Sequence, residues 1–220
     1  MKASPTKQII SPPTVPLFLN YLAQFFSYLF HPVFIPLYVI FFLIYWHPLV
    51  FAGVSKQVRV LWIAAIFVNC TFFPVVTVFL AWRLKFVRSF HLHTRRDRII
   101  PYALAMIFYF WCWYVFKNNP NAPVMLQNFL LGSFIAVIFA WLANIYFKIS
   151  MHALAAGGMC FFLTLIALQG DGNPGLYLTA GWLILGIVAT SRLLVSDHQP
   201  LDIYAGIFLG MLSQGAAMYL

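Results

Sequence analysis

Seven apolar runs, each close to the thickness of a bilayer, constrain this chain more than any other feature. A helix rises about 1.5 Å per residue, so a hydrocarbon core of about 30 Å takes about 20 apolar residues. Residues 33–51, 58–82, 100–116, 125–147, 152–169 and 176–195 come near that figure, and 202–220 forms a seventh run. Only 8% of the residues are charged and Glu is absent, whereas a soluble domain carries about a quarter. The expectation is an all-α, polytopic transmembrane bundle of six to seven spans.

Ahead of the first run, Asn20, Gln24, Ser27 and His31 recur at i, i+4, i+7 and i+11, which is one stripe of a helix. Residues 1–32 therefore read as an N-terminal segment with an interfacial amphipathic helix, and 33–220 as the bundle. Pro32 and Pro36 mark the turn into the bilayer. The alternative is one long kinked span whose polar stripe faces the bundle. Lys2 and Lys7 precede no short apolar stretch with a small-residue cleavage site, so no signal peptide is expected.

The net charge is +9, and six of the thirteen Lys and Arg lie between Arg83 and Arg98. Concentration in one loop favours phosphate groups or anionic lipid headgroups over nucleic acid. Cys70, Cys112 and Cys160 sit inside apolar runs without CxxC spacing and read as small core residues. Counting crossings from that loop returns the chain to the same membrane face at residues 148–152 and again at 192–202. Three polar clusters thus share one side.

Each cluster has a chemical reading. In the last, Pro200 suits a first helical position, which puts His198 just ahead of the helix and Asp202 in its first turn. Asp202 would orient the imidazole and favour its cation. His198 is then a nucleophile or base, and Arg192 a planar fork for phosphate oxygens. In the second, Ser150 caps a helix whose N-terminus suits an anion, and His152 in that first turn is a general acid. In the first, Arg95, Arg96 and Arg98 make an anion trap beside Asp97. Taken singly, each cluster also fits an interfacial charge, a plain cap or a topology-setting loop.

No metal or other cofactor is expected. His91, His93, His152, His198, Asp197 and Asp202 are the ligands available, but six neighbouring cations would repel a metal ion, and no HExxH spacing occurs.

Ser191-Arg192, five residues, His198, three residues and Asp202 resemble the third signature block of the type-2 phosphatidic acid phosphatase superfamily position for position. Ile149-Ser150-Met151-His152 keeps the Ser and His of that family's Pro-Ser-Gly-His block. The first block, Lys-x6-Arg-Pro, is matched poorly: Arg88 stands seven residues before Arg95, followed by Arg96, and Arg98 precedes Pro101 by three.

The resemblance implies a metal-independent lipid phosphate phosphatase. His198 would form a phosphohistidine, Asp202 would orient it, and His152 would protonate the leaving alkoxide. Arg192, Ser191, Ser150, Arg98, Arg95 and Arg96 would hold phosphoryl oxygens. The implied partners are a lipid phosphate or diphosphate and membrane lipids, with no nucleic acid. A lipid phosphotransferase, or a non-catalytic transporter or binding protein for anionic lipids on the same scaffold, is the alternative. The expected location is the plasma (inner) membrane. Cation counting places the clusters in the cytoplasm, whereas the resemblance implies an outward-facing site.

Overall fold

The computed structural model describes residues 16–88, 94–169, 174–195 and 198–220. Within them, helices α1 (Leu17–Leu29), α2 (Ile35–Tyr45), α3 (Lys56–Ile66), α4 (Phe73–Arg83), α5 (Ile99–Lys117), α6 (Val124–Tyr146), α7 (Met151–Leu168), α8 (Gly175–Val195) and α9 (Pro200–Ala217) follow in order, with no strand among them. Six stretches are long and apolar enough to cross a membrane: Leu17–Tyr45, Lys56–Arg83, Arg96–Lys117, Val124–Tyr146, Met151–Leu168 and Gly175–Val195. The chain is an integral membrane protein of the all-α class. Glycines, Ser213 and Gln214 make α9 less apolar, yet its 18 residues rise about 27 Å and pack inside the bundle.

Local chemistry sets the breaks. α1 and α2 form one candidate span of 29 residues, bent through a 3-10 turn at Pro32–Phe34, because Pro32 supplies no amide hydrogen. Ser27 on the polar stripe is buried while Phe18, Tyr21 and Phe25 on the opposite face are exposed. The stripe of α1 thus faces α8 at its C-terminal end.

α3 and α4 run on through a π turn at Phe67–Phe72. Pro74 cannot donate to a carbonyl a turn earlier. The Cys70 carbonyl, four residues before it, instead receives the Tyr109 hydroxyl at 3.4 Å.

Lipid gives no hydrophobic drive for helix association, so close backbone approach and van der Waals packing must supply it. α7 is the central helix and packs most extensively on α9, then on α8. The seam works because it is made of glycine. A Cβ on Gly210 would overlap the Leu154 carbonyl oxygen, one on Gly157 would lie 2.8 Å from Ile207 Cα, and one on Gly206 2.8 Å from the Ser150 oxygen.

Away from the polar clusters the core is bulky, with Leu43, Phe51, Ile66, Phe129 and Phe162 buried together. Beneath the clusters it is small: Ala136, Ala140 and Ala143 pack with Tyr102, Ile149 and Leu154. That alanine floor lets α5, α6 and α7 converge under the loops.

Candidate functional site: an anion site at the paired starts of α7 and α9

Three loops distant in sequence are tied together by hydrogen bonds to backbone carbonyls. Arg98, one residue before α5, donates from Nη1 to the Ile149 carbonyl at 2.7 Å. The Ser150 amide donates to the Asp202 carbonyl at 3.1 Å. Arg95 donates from Nη1 to the carbonyls of Ile145 and Tyr146 at 3.0 and 2.8 Å, and the Asn144 amide donates to the Arg95 carbonyl at 2.9 Å. The common face deduced by counting crossings is therefore a physical assembly.

Two helices start there side by side, α7 at Met151 and α9 at Pro200. Ser150 caps α7 by accepting the Ala153 amide hydrogen at 3.4 Å and is fully buried. Asp202 caps α9 from its first turn, taking the Gln199 amide hydrogen on Oδ2 at 2.9 Å. Because α7 and α9 both leave this face in the same direction, their positive dipole ends add rather than cancel.

His198 lies just ahead of α9, 9% exposed, with Nδ1 3.5 Å from Asp202 Oδ2. The two groups face each other, but the predicted hydrogen bond between them is not made. The carboxylate oxygen is held by the Gln199 amide, and His198 Nδ1 makes no closer hydrogen bond. Burial pushes the His198 imidazole down to about 4, helped by the positive charges of Arg98, Arg192 and Lys148, with Asp202 opposing them. At neutral pH the ring is uncharged, the form that has a free lone pair.

The opposite wall comes from α1. His152 Nε2 lies 3.1 Å from the Ser27 carbonyl oxygen, an acceptor only, so that nitrogen carries the hydrogen. Arg192 donates from Nη1 to Ser27 Oγ at 3.4 Å. The His31 ring stands edge-on to that of His152, with centroids 5.0 Å apart, and its Nδ1 is buried without a hydrogen-bond partner. Arg192, His31 and His198 all lie within electrostatic range of His152.

The structure thus gathers His198, Asp202, His152, Ser150, Arg192 and Arg98 at one end of the bundle. Ser191 is buried on α8 beside Arg192. Arg95 and Arg96 are not among the cations acting on His198: Arg95 is engaged on the last carbonyls of α6, and Arg96 is exposed. Asp97 is buried against its own loop, accepting from the Thr94 hydroxyl at 2.6 Å and the Arg88 amide at 3.2 Å. His91, His93 and Asp197 lie outside the described residues.

Sequence reasoning did not assign Lys148, Ser27 or His31 to the site. Lys148 stood in the second cluster, and Ser27 and His31 ended the polar stripe of α1. That stripe was the available signal, because polar residues on a membrane helix tend to face protein rather than lipid.

No known family model, no curated protein and no solved structure matches the chain. Its functional reading therefore rests on the geometry. A neutral imidazole, a second histidine with a fixed tautomer, three cations and two helix N-termini are gathered at one end of the bundle.

Proposed function

We propose that the chain is an integral membrane phosphatase acting on a phosphomonoester or diphosphate of a lipid through a phosphohistidine, as its resemblance to the type-2 phosphatidic acid phosphatases implies. The observation that carries this reading is the joining of the second and third blocks: the Ser150–Asp202 backbone bond puts the starts of α7 and α9, and with them His152 and His198, together. Asp202 faces Nδ1 of His198, so Nε2 is the attacking nitrogen.

Nε2 bonds to phosphorus as the ester or anhydride P–O bond breaks, and His152 protonates the departing oxygen. Only the imidazolium of His152 can keep one N–H on the Ser27 carbonyl and give the other away. Water then attacks the phosphohistidine and releases phosphate. Arg192, Arg98 and Lys148 offset the charge that builds on the phosphoryl oxygens, and no metal enters the steps. The proposed location is the plasma (inner) membrane.

The test is phosphate release from a panel of lipid phosphates and diphosphates in detergent with excess chelator. Wild type should turn over, and His198→Ala and His152→Ala should lose at least about 10²-fold. Equal release by all three proteins, or none from any substrate, would sink the proposal. A second reading, anionic-lipid binding or transport without turnover, draws on Met151 in the place of the family's Gly and on the 3.5 Å His198–Asp202 separation. Phosphate release by wild type removes it. A lipid phosphotransferase shares the first step and differs in passing the phosphoryl group to a second lipid instead of water.

A further inference from the structure

One apolar groove opens beside the cationic end of the bundle. It lies between α6 and α9 and encloses about 360 Å³. It is lined by Phe139, Leu142, Ala143 and Tyr146 of α6, by Phe147 just after it, and on α9 by Ala205, Phe208 and Leu209. No side chain in that lining carries a charge. Leu142, Tyr146 and Phe208 are exposed, so the groove faces the surroundings rather than the interior.

Its upper rim is continuous with the site. Phe147 immediately precedes Lys148, and Ala205 lies one turn below Asp202. Arg95 donates to the Tyr146 carbonyl at that rim, and Arg98 to the Ile149 carbonyl just beyond it. Of the three cations acting on His198, Lys148 is on the loop that follows α6, and Arg98, just ahead of α5, is held to that loop through the Ile149 carbonyl. An apolar trough topped by positive charge matches an amphiphile with an anionic head.

At about 30 Å³ for a water-sized unit, the volume has room for roughly a dozen methylene groups, hence one hydrocarbon chain and not two. From Phe139 to Tyr146 the helix rises about 10 Å, with Phe147 beyond it, which suits a chain of that length laid along α6. Since the chain leaves lipid to enter, the gain comes from packing against Phe139, Tyr146 and Phe208 and from the tethered head, not from escape from water.

We propose that the α6–α9 groove binds a single hydrocarbon chain of a lipid phosphate or diphosphate whose phosphoryl group lies at His198. This rests on the phosphatase reading for the role of His198, but binding can be read without turnover. The probe is a dodecylphosphonate, which cannot be hydrolysed, carrying a photoreactive diazirine near the middle of its chain. The full-length protein in detergent is irradiated with it, and the labelled peptides are identified by mass spectrometry.

Adducts are expected on residues 139–147 and 205–209, displaced by excess dodecyl phosphate and not by equal dodecanol. Ala205 is only partly buried and borders the groove, so Ala205→Phe should fill it and cut labelling at least about tenfold. Leu142→Trp on the exposed side of the groove serves as an independent second filling variant. Labelling spread over other helices, or displacement by dodecanol as effective as by dodecyl phosphate, would overturn the proposal. Labelling at full strength in both filling variants would overturn it as well. Absence of phosphate release with labelling intact would reject the phosphatase and leave the groove standing.

Discussion

Replacing Gly206 with Ala should uncouple the two helices that build the site. A Cβ there would lie 2.8 Å from the Ser150 carbonyl oxygen and 3.2 Å from both the Ala153 Cβ and the Leu154 nitrogen. Ordinary contact begins at 3.4 Å, so the backbones must part by about 0.6 Å (3.4 − 2.8), because the neighbouring atoms are backbone or a Cβ and cannot swing away. Added to the 3.1 Å Ser150–Asp202 bond, that shift stretches it to about 3.7 Å, outside hydrogen-bonding range.

Overpacking of this kind costs about 1–3 kcal/mol, and a displacement approaching 1 Å at reacting groups can remove up to about 10²-fold in rate. Gly206→Ala should therefore melt earlier in detergent and release phosphate at least about tenfold more slowly. The internal control is Gly186→Ala on α8, where a Cβ meets nothing within 4 Å and stability should change by no more than about 1 kcal/mol. If Gly206→Ala melts and turns over like Gly186→Ala, the seam does not position the site and the packing argument is wrong.

Asp202→Asn keeps an oxygen for the Gln199 amide but loses the negative charge facing His198, so kcat should fall at least about 10²-fold with melting shifted by no more than about 1 kcal/mol; a stability loss without a rate loss would make Asp202 a cap alone. His198 sits at about 4, below the usual 6.5, so kcat/KM, corrected for substrate ionisation, should not fall as pH drops through 6.5 and should decline only as it drops through about 4. The same depression means the unfolded chain binds more protons between about 4 and 6.5, so stability should also decline as pH falls across that window; an acid limb near 6.5 in wild type contradicts the buried, cation-flanked environment. Arg192→Lys should raise KM at least about tenfold by losing the planar fork, whereas Arg95→Ala should change KM less than about threefold and lower stability by about 1–2 kcal/mol through the carbonyls of Ile145 and Tyr146; the reverse ranking would return Arg95 to the anion site. Impermeant thiol labelling of Ser89→Cys in intact cells should succeed if the site faces outward, as the family resemblance implies, and fail if the cation count sets the topology.

Most spans and their order were legible in the sequence because bilayer thickness converts directly into run length; the first candidate span, however, starts at Leu17 and not at Val33. The shared face of the three clusters was legible for the same reason, since parity of crossings needs no side-chain geometry. The pairing of α7 with α9 was not. It depends on where Gly157, Gly206 and Gly210 fall around their helices relative to one another, and on Leu154 and Ile207 presenting backbone to them. A single sequence marks such residues as small without saying which partner they admit.

The division of labour among the arginines shows a deeper limit. Charge and spacing made Arg95, Arg96 and Arg98 equivalent, yet each meets a different demand. The last turn of α6 leaves carbonyls without intrahelical partners, and Arg95 supplies donors to two of them. The Ile149 carbonyl, just before α7, takes Arg98, which holds that cation where it acts on His198. Arg96 points at no such carbonyl and stays exposed. The roles follow from which helix ends need donors, a consequence of the assembled bundle. The same logic explains the polar stripe of α1. Ser27 is tolerated in an apolar helix because its carbonyl and hydroxyl meet His152 and Arg192, so the first helix is part of the site's wall and not only an anchor. A cation count taken from sequence does not separate Arg95, which holds the end of α6, from Arg98, which acts on His198.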